Sequence, residues 1–268
     1  MPAAPPESPL AQDAHAVAQV REVGLANPFV WLARGHADMR ATGYAGSFYG
    51  ALFALMGLGI TTIYEVKWQL TMGLVAGFFL VGPFVCCGIY WLSRQVAAGE
   101  RPSLVASLTC WRRNPAGIGF FAAIITFAMI VWARVSVVLF ALFATHDYVD
   151  VSGMLMKIAS VSNLPFLMVW SGGGCGFASL VFAISVVSMP MMLDRDADTI
   201  EAIAASAIAL WHNPAAMLTW ALLITLLIGA SLVFFLPALA ITAPLVGHTT
   251  WKVYQALVPP SKGGIEHR

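Results

Sequence analysis

The sequence predicts an all-α polytopic membrane protein of about six transmembrane helices. Three observations predict it: a composition too apolar for water, five apolar blocks long enough to reach across a bilayer, and a one-sided distribution of Lys and Arg. Hydrophobic residues make up 59% of the 268-residue chain, charged residues 10%, and the mean hydropathy is +0.80. A soluble domain carries about 25% charged residues, and a water-soluble fold of this size needs far more polar surface to cover it. This excludes a soluble enzyme, a disordered protein and a nucleic-acid module. The formal net charge of +1 names no partner beyond the lipid bilayer. The 4 cysteines are too few for a disulfide framework, and Cys86, Cys87, Cys110 and Cys175, among apolar or small neighbours, read as reduced, buried packing residues.

Residues 1–20 are expected to be a disordered tail, because the stretch PAAPPESPLAQDA is Pro/Ala-rich and builds no core. The membrane domain is expected over 21–258, with a loose tail at 259–268. No secretory signal is expected, since the first apolar stretch long enough to insert begins only near Gly46. A spanning helix needs about 20 mainly apolar residues. Gly46–Tyr64 is the first candidate, followed by a short break at EVKWQ, and Leu70–Leu92 is the second. The third begins at Ala116 and stays apolar past Arg134 to Ala144. The fourth is Pro165–Leu193. The block Ala215–Leu257 would be about 60 Å long as one helix, twice the hydrocarbon thickness. It therefore divides into two spans with a tight turn near Ser231–Leu236.

Lys/Arg placement gives the orientation. With the N-terminus inside, Arg21, Arg34, Arg40, Arg94, Arg101, Arg112, Arg113, Arg195, Lys252, Lys262 and Arg268 fall on the inner side, whereas Lys67 and Lys157 fall outside. Both termini are then cytoplasmic.

An internal repeat organises the spans. SLVASLTCWRRNPAGIGF and AIAASAIALWHNPAAMLTW share a small-residue stretch, a Trp, an Asn-Pro-Ala turn and an ensuing span, with Asn114-Pro115 matching Asn213-Pro214. WLARGHADMRATGYAGSF is a weaker third copy. Every second span carries a proline: Pro83, Pro190 and Pro244. The repeating unit is thus a surface helix, a span and a Pro-bearing span. Leu104, Leu108 and Trp111 share one face of their surface helix, as do Ile200, Ala204, Ile208 and Trp211. Such a stripe either packs against the bundle as a cap or lies in the headgroup plane with Trp at the interface.

The segments WLARGHADMRA, YWLSRQVAAGERPSL, WARVSVVLFALF, MPMMLDRDADTIEAI, WHNPAAMLTWA and PLVGHTTWKVYQAL resemble the bacterial integral membrane family known as domain of unknown function 2189. The resemblance spans about residues 20–258 and implies a six-span fold in a bacterial inner membrane. Some members carry a cytochrome c oxidase label, so the resemblance implies respiratory-complex subunits as partners. Gln95 stands where many members have a second basic residue. A haem–copper catalytic centre needs several intramembrane His, and His248 alone lies within a predicted span. An oxidase link would therefore mean an accessory or assembly subunit.

Among polar residues, His248 reads either as a proton-carrying or ligand-binding group facing a cavity or as an imidazole bonded between helices. Arg134, with Trp132, reads as a snorkelling anchor near the outer interface or as a cation paired with Asp147 or Asp150. Asp194, Asp196, Asp198 and Glu201 read as an acidic turn opening the next helix, with Asp198 or Thr199 as its cap, in preference to a cation site. Gly172 and Gly176 have the spacing of a close helix contact, and the three glycines within Trp170–Gly176 are also able to unwind a helix. The prolines read as kinks or as the walls of a shared cavity. No catalytic constellation, metal-ligand set or cofactor motif is expected. A non-enzymatic accessory or scaffold protein is the expected function; the alternative is a small transporter or channel for a neutral or weakly polar solute.

The orientation predicts that a reporter active only in the cytoplasm works when fused at Arg268. A cysteine placed at Ser152 should be labelled from the opposite side, and its protection would reverse the assignment.

Overall fold

The computed structural model describes residues 20–143, 164–195 and 197–259, with the backbone alone for Ile60, Thr61, 63–81, Pro83 and Phe84. The helices are α1 (Asn27–Thr42), α2 (Tyr44–Ala97), α3 (Leu104–Thr109), α4 (Pro115–Phe143), α5 (Leu164–Ser185), α6 (Ser188–Arg195), α7 (Thr199–His212), α8 (Pro214–Phe234) and α9 (Leu239–Leu257). Short 3-10 turns occupy Cys110–Arg113 and Leu236–Ala238. No strand occurs among the described residues. The chain divides into two compact units, Met1–Ala122 with Ile184–Arg268, and Ala123–Ala183.

The first unit is built around α9. This helix buries Leu239, Ala243, Gly247, His248, Trp251, Tyr254 and Leu257, and it packs chiefly on α1 and α2. Glycines make that packing close. A Cβ on Gly35 of α1 would collide with the backbone and hydroxyl of Thr249. On Gly50 of α2 it would collide with the Ala240 carbonyl, and on Gly247 it would press into Ile89. Pro244 lies inside α9 and has no N–H to give the Ala240 carbonyl one turn earlier. Gly50 is the residue that faces that freed carbonyl. Thr249 and Thr250, the hydroxyls that follow it along α9, donate to Leu245 O and Val246 O at 2.7 and 2.8 Å. Both hydroxyls thus turn back on the preceding turn of their own helix.

Helical backbone runs through all of Tyr44–Ala97, including the EVKWQ segment where a break is expected. A straight 54-residue helix would be about 80 Å long. This one doubles back. Tyr49 fills the space a Cβ on Gly88 would need, and Ala45, Tyr49 and Phe53 share one buried cluster with Val85, Ile89 and Leu92. The reversal therefore lies between Phe53 and Val85, the stretch that includes EVKWQ, within helical backbone.

Elsewhere the predicted boundaries hold with local changes. The turn expected near Ser231–Leu236 is the break between α8 and α9 at Phe235, which leads into Leu236–Ala238. The fourth block is divided: α5 ends at Ser185 and α6 begins at Ser188. Pro190 explains the division, because its ring clashes with the carbonyl four residues back, at Val186. Val187 and Ser188, at the break, are tied to α7. Val187 N–H donates to Ser206 Oγ at 3.2 Å, and Ser188 Oγ donates to Ala202 O at 3.0 Å.

Among the described residues, three stretches are long and apolar enough to cross a membrane: Pro115–Leu142, Leu164–Arg195 and Pro214–Phe234. α9 falls outside this group because its C-terminal half carries His248, Thr249, Thr250, Lys252 and Gln255, most of them buried within protein. α4 is a single 29-residue helix, about 43 Å long and longer than the hydrocarbon core.

In the second unit α4 and α5 pack through aromatic rings. Trp132 lies 5.6 Å from Phe177 and 6.0 Å from Trp170, and Phe140 meets Phe166 edge-on at 6.1 Å. The glycines beneath Trp132 are Gly173 and Gly174. Gly172 and Gly176, expected to form the contact, have nothing within 4 Å of a Cβ. The helix stays wound through all of them, so this segment neither unwinds nor packs through its small-xxx-small pair. Cys175, expected to be buried, is exposed on α5 because it lies off the Trp132 face. Cys87 and Cys110 are buried and Cys86 half-buried, as free thiols.

Gly50→Ala should lower the midpoint of thermal unfolding in detergent, at a cost of about 1–3 kcal/mol, because the added methyl meets a backbone carbonyl that cannot move aside. Gly172→Ala should be close to neutral. Equal effects of the two substitutions would show that the α2–α9 contact is not tight.

Candidate functional site

The polar side chains of the first unit converge at one end, and a chain of contacts defines that end. Arg21 N–H donates to Leu257 O at 2.9 Å, which brings the start of the described chain to the last turn of α9. Asn213 holds the same lead-in: its Oδ1 accepts from Val23 N at 2.7 Å and its Nδ2 donates to Arg21 O at 3.0 Å. Arg195 donates to Tyr254 Oη at 2.7 Å and to the carbonyls of Val258 and Pro259. Asn114 Nδ2 donates to Ala197 O at 3.0 Å, and its Oδ1 accepts from Gly117 N at 2.9 Å, capping α4. Both Asn-Pro turns therefore lie at the end where α9 terminates, as a true repeat requires.

The two asparagines do the same work in succession. Asn114 follows the second surface helix, α3, and holds the segment entering the third, α7. Asn213 follows the third and holds the segment entering the first, α1. The entry to α3 is held differently: Ser103 N–H donates to Gln95 Oε1 at 3.0 Å. The first copy has Thr42-Gly43-Tyr44 in place of an Asn-Pro turn, and Gln95 supplies the acceptor from the α2 C-terminus. This gives Gln95 a position-specific task that an arginine, which only donates, cannot perform.

A charged network ties α2, α6 and α9 together. Arg94 Nε meets Asp194 Oδ1 at 3.2 Å, and Tyr254 Oη donates to Asp194 Oδ2 at 2.8 Å. The guanidinium groups of Arg94 and Arg113 both sit over the Trp91 ring, at 4.9 and 5.1 Å from its centroid. Asp194 is thus a tie between helices. The acidic turn predicted around it exists only in part: Asp198 is the N-cap of α7 and accepts from Ile200 N at 3.1 Å. Thr199 donates to Gly117 O at 3.0 Å instead of capping. Asp196 lies outside the described residues. No group of three potential metal ligands occurs among the described residues.

His248 is fully buried between the two arms of α2. Its Nδ1 is 2.6 Å from Ser93 Oγ, and its Nε2, turned towards Gly46, has no hydrogen-bond partner among the described residues. One turn on, Lys252 forms a 2.7 Å ion pair with buried Asp38 of α1. Arg134 is exposed on α4, about 28 Å along the helix from Pro115. Its proposed partners Asp147 and Asp150 lie outside the described residues.

The surface helices show which face they bury. α7 packs through Ala202, Ala205, Ser206 and Ala209, leaving Trp211 83% and Ile200 69% exposed. On α3 and the turn after it, Ser107 and Cys110 face inward, while Leu108 and Trp111 are exposed. The small-residue faces do the capping, and of the predicted stripes Leu108, Trp111, Ile200 and Trp211 are exposed while Leu104 packs against the α2 core. α1 buries Pro28, Trp31, Gly35, Asp38 and Thr42 against α9, leaving Phe29, Arg34 and Arg40 exposed.

Exposed large apolar side chains on surface helices, together with three long apolar helices, are the signature of a protein embedded in lipid. Residues 70–194 match the DUF2189 family model, described as a predicted integral membrane protein. The chain is an integral membrane protein of all-α fold. No curated protein and no solved structure matches it. The DUF2189 segment is shorter than the 20–258 over which motifs resemble the family. It runs from the second arm of α2 to Asp194, so it holds Trp91, Arg94, Asn114 and Asp194 but not Asn213, His248 or Tyr254.

Of the candidates, Asp194 and Asp198 stand near the converging end, His248 deeper along α9, and Arg134, Gly172 and Gly176 on the second unit. Sequence reasoning passed over Ser93, Arg94, Tyr254, Arg195 and the Asp38–Lys252 pair. Their available signal was polarity inside quoted motifs (YWLSR, MLDR, HTTWKVY), which names residues but not their partners. Asn213→Ala should expose Arg21 and Arg34 to trypsin several-fold faster, because the hydrogen bonds holding the α1 lead-in, about 1 kcal/mol each, are lost. Asn213→Asp, which keeps the acceptor for Val23 N–H, should fall between. Unchanged cleavage in both would remove the clamp.

Proposed function

We propose that this protein is a non-enzymatic accessory or scaffold subunit of a bacterial inner membrane, with both termini cytoplasmic, working beside subunits of a respiratory oxidase. The observation that carries the reading is how the polar side chains are used. Arg94, Asp194, Tyr254 and Arg195 are spent on one another, Asp38 on Lys252, and Asn114 and Asn213 on backbone. Chemistry of this kind fixes helices in place. Orientation is supported by Arg21, Arg94, Arg113 and Arg195, which gather at the end where the first and last described residues meet, as Lys and Arg do on cytoplasmic faces. The oxidase association rests on the family label that some members carry.

A second reading, a small transporter for a neutral or weakly polar solute, is favoured by one observation. His248 is buried one turn after Pro244, and its Nε2 has no hydrogen-bond partner among the described residues, an arrangement that suits a proton-carrying or solute-binding group.

The test is purification of the full chain in mild detergent, followed by absorption spectra of the eluate. The accessory reading expects haem bands and oxidase subunits to co-elute, and to be retained in His248→Gln. A haem-free preparation that moves solute across proteoliposomes, with flux lost in His248→Gln, would replace it with the transporter reading.

A further inference from the structure

Beside α3 the first unit carries an open groove of about 440 Å³. Tyr49, Leu52 and Val85 of the two α2 arms line one wall, and Ser107, Leu108 and Trp111 line the other. Its volume is within the range of ligand clefts, about 300–1,000 Å³. The wall is almost wholly apolar. The Tyr49 and Ser107 hydroxyls, its main polar groups, are hydrogen-bonded to each other at 2.8 Å, so they ask nothing of an occupant. Cys110 closes one side, and burial pushes its thiol up to about 11, which leaves it unreactive at neutral pH.

The rim differs from the wall. The Arg112 guanidinium sits 5.5 Å from the Trp111 ring centroid, and Arg113 follows it over Trp91. Both arginines are exposed, and neither is paired with a carboxylate among the described residues, where the ion pairs are Arg94–Asp194 and Lys252–Asp38. Apolar walls below two free cations complement an amphiphile with an anionic head. Trp111 at the junction suits the boundary between acyl chains and headgroups.

We propose that this groove binds one anionic phospholipid, with an acyl chain along Leu52, Val85 and Leu108 and the phosphate held by Arg112 and Arg113. Exposed Trp111 and Leu108 let the occupant enter sideways from the surrounding leaflet, so no gate is needed. Arginine suits the headgroup because its guanidinium donates to two phosphate oxygens at once.

Native mass spectrometry of the full chain, released from detergent with added phosphatidylglycerol or phosphatidylcholine of identical acyl chains, tests this. The wild type should retain one phosphatidylglycerol about tenfold more tightly than phosphatidylcholine. R112Q/R113Q should abolish that preference while still binding either lipid weakly. L108W, which fills the groove from an exposed position, should weaken both lipids. R134Q, an exposed arginine elsewhere, should change nothing. Equal retention of the two lipids by the wild type, or equal loss of preference in R134Q and R112Q/R113Q, would overturn the site in favour of unspecific annular lipid. Displacement of the bound mass by inorganic phosphate alone would also overturn it. Should L108W fail to elute as a single species, the arginine pair decides the matter by itself.

Discussion

The fold depends on a polar helix held inside an apolar protein. α9 carries His248, Thr249, Thr250 and Lys252 through the middle of the first unit, where no solvent is on hand to satisfy them. Two devices meet that demand. The threonines turn their hydroxyls back on their own helix, while His248 and Lys252 take Ser93 and Asp38 from the helices alongside. The second device is proximity. Gly35, Gly50 and Gly247 remove the side chains that would keep α1 and α2 at arm's length, so the neighbours reach α9. A small residue at a helix contact in lipid gives backbone approach and van der Waals packing, because lipid tails supply no hydrophobic push of their own.

The same logic explains the prolines. Pro190 and Pro244 each remove a backbone donor, and the two are compensated differently. At Pro190 the helix breaks, and the break is tied to α7 by Val187 N–H on Ser206 Oγ and Ser188 Oγ on Ala202 O. At Pro244 the helix continues, and the carbonyl it frees lies against Gly50. The expectation of a shared kink hid this difference, because a proline's effect depends on which neighbour can reach the orphaned group.

Much of the architecture was legible in the sequence because bilayer thickness is a strong ruler. The long helix past Arg134, the turn after α8 and the Asp198 cap follow from length, apolarity and capping chemistry. The Asn-Pro spacing gave the repeat, and the structure puts both turns at one end. What the sequence hid is tertiary. Which glycines touch a neighbour was misread, since Gly173 and Gly174 lie under Trp132 while Gly172 and Gly176 do not, and rotation of a helix about its axis leaves no mark in its composition. The Asp194 carboxylate looked like part of a helix-opening turn because its partners, Arg94 and Tyr254, are 100 and 60 residues away. The expected break at EVKWQ leaves no lapse in helicity, although the chain reverses between Phe53 and Val85.

The clamp made by Asn213 has a bearing on synthesis. The segment that opens the first surface helix is held by a residue 190 positions later, and Arg21 bonds to Leu257. A ribosome delivers the chain from its N-terminus, so α1 emerges long before either partner exists. Until α9 arrives, the Gly35 face and Asp38 of α1 have nothing to dock against. α1 is therefore made early and locked late. A nascent chain that stalls before α9 would present α1 undocked, with Asp38 lacking Lys252, a form that quality-control proteases distinguish from the finished protein by that free helix alone.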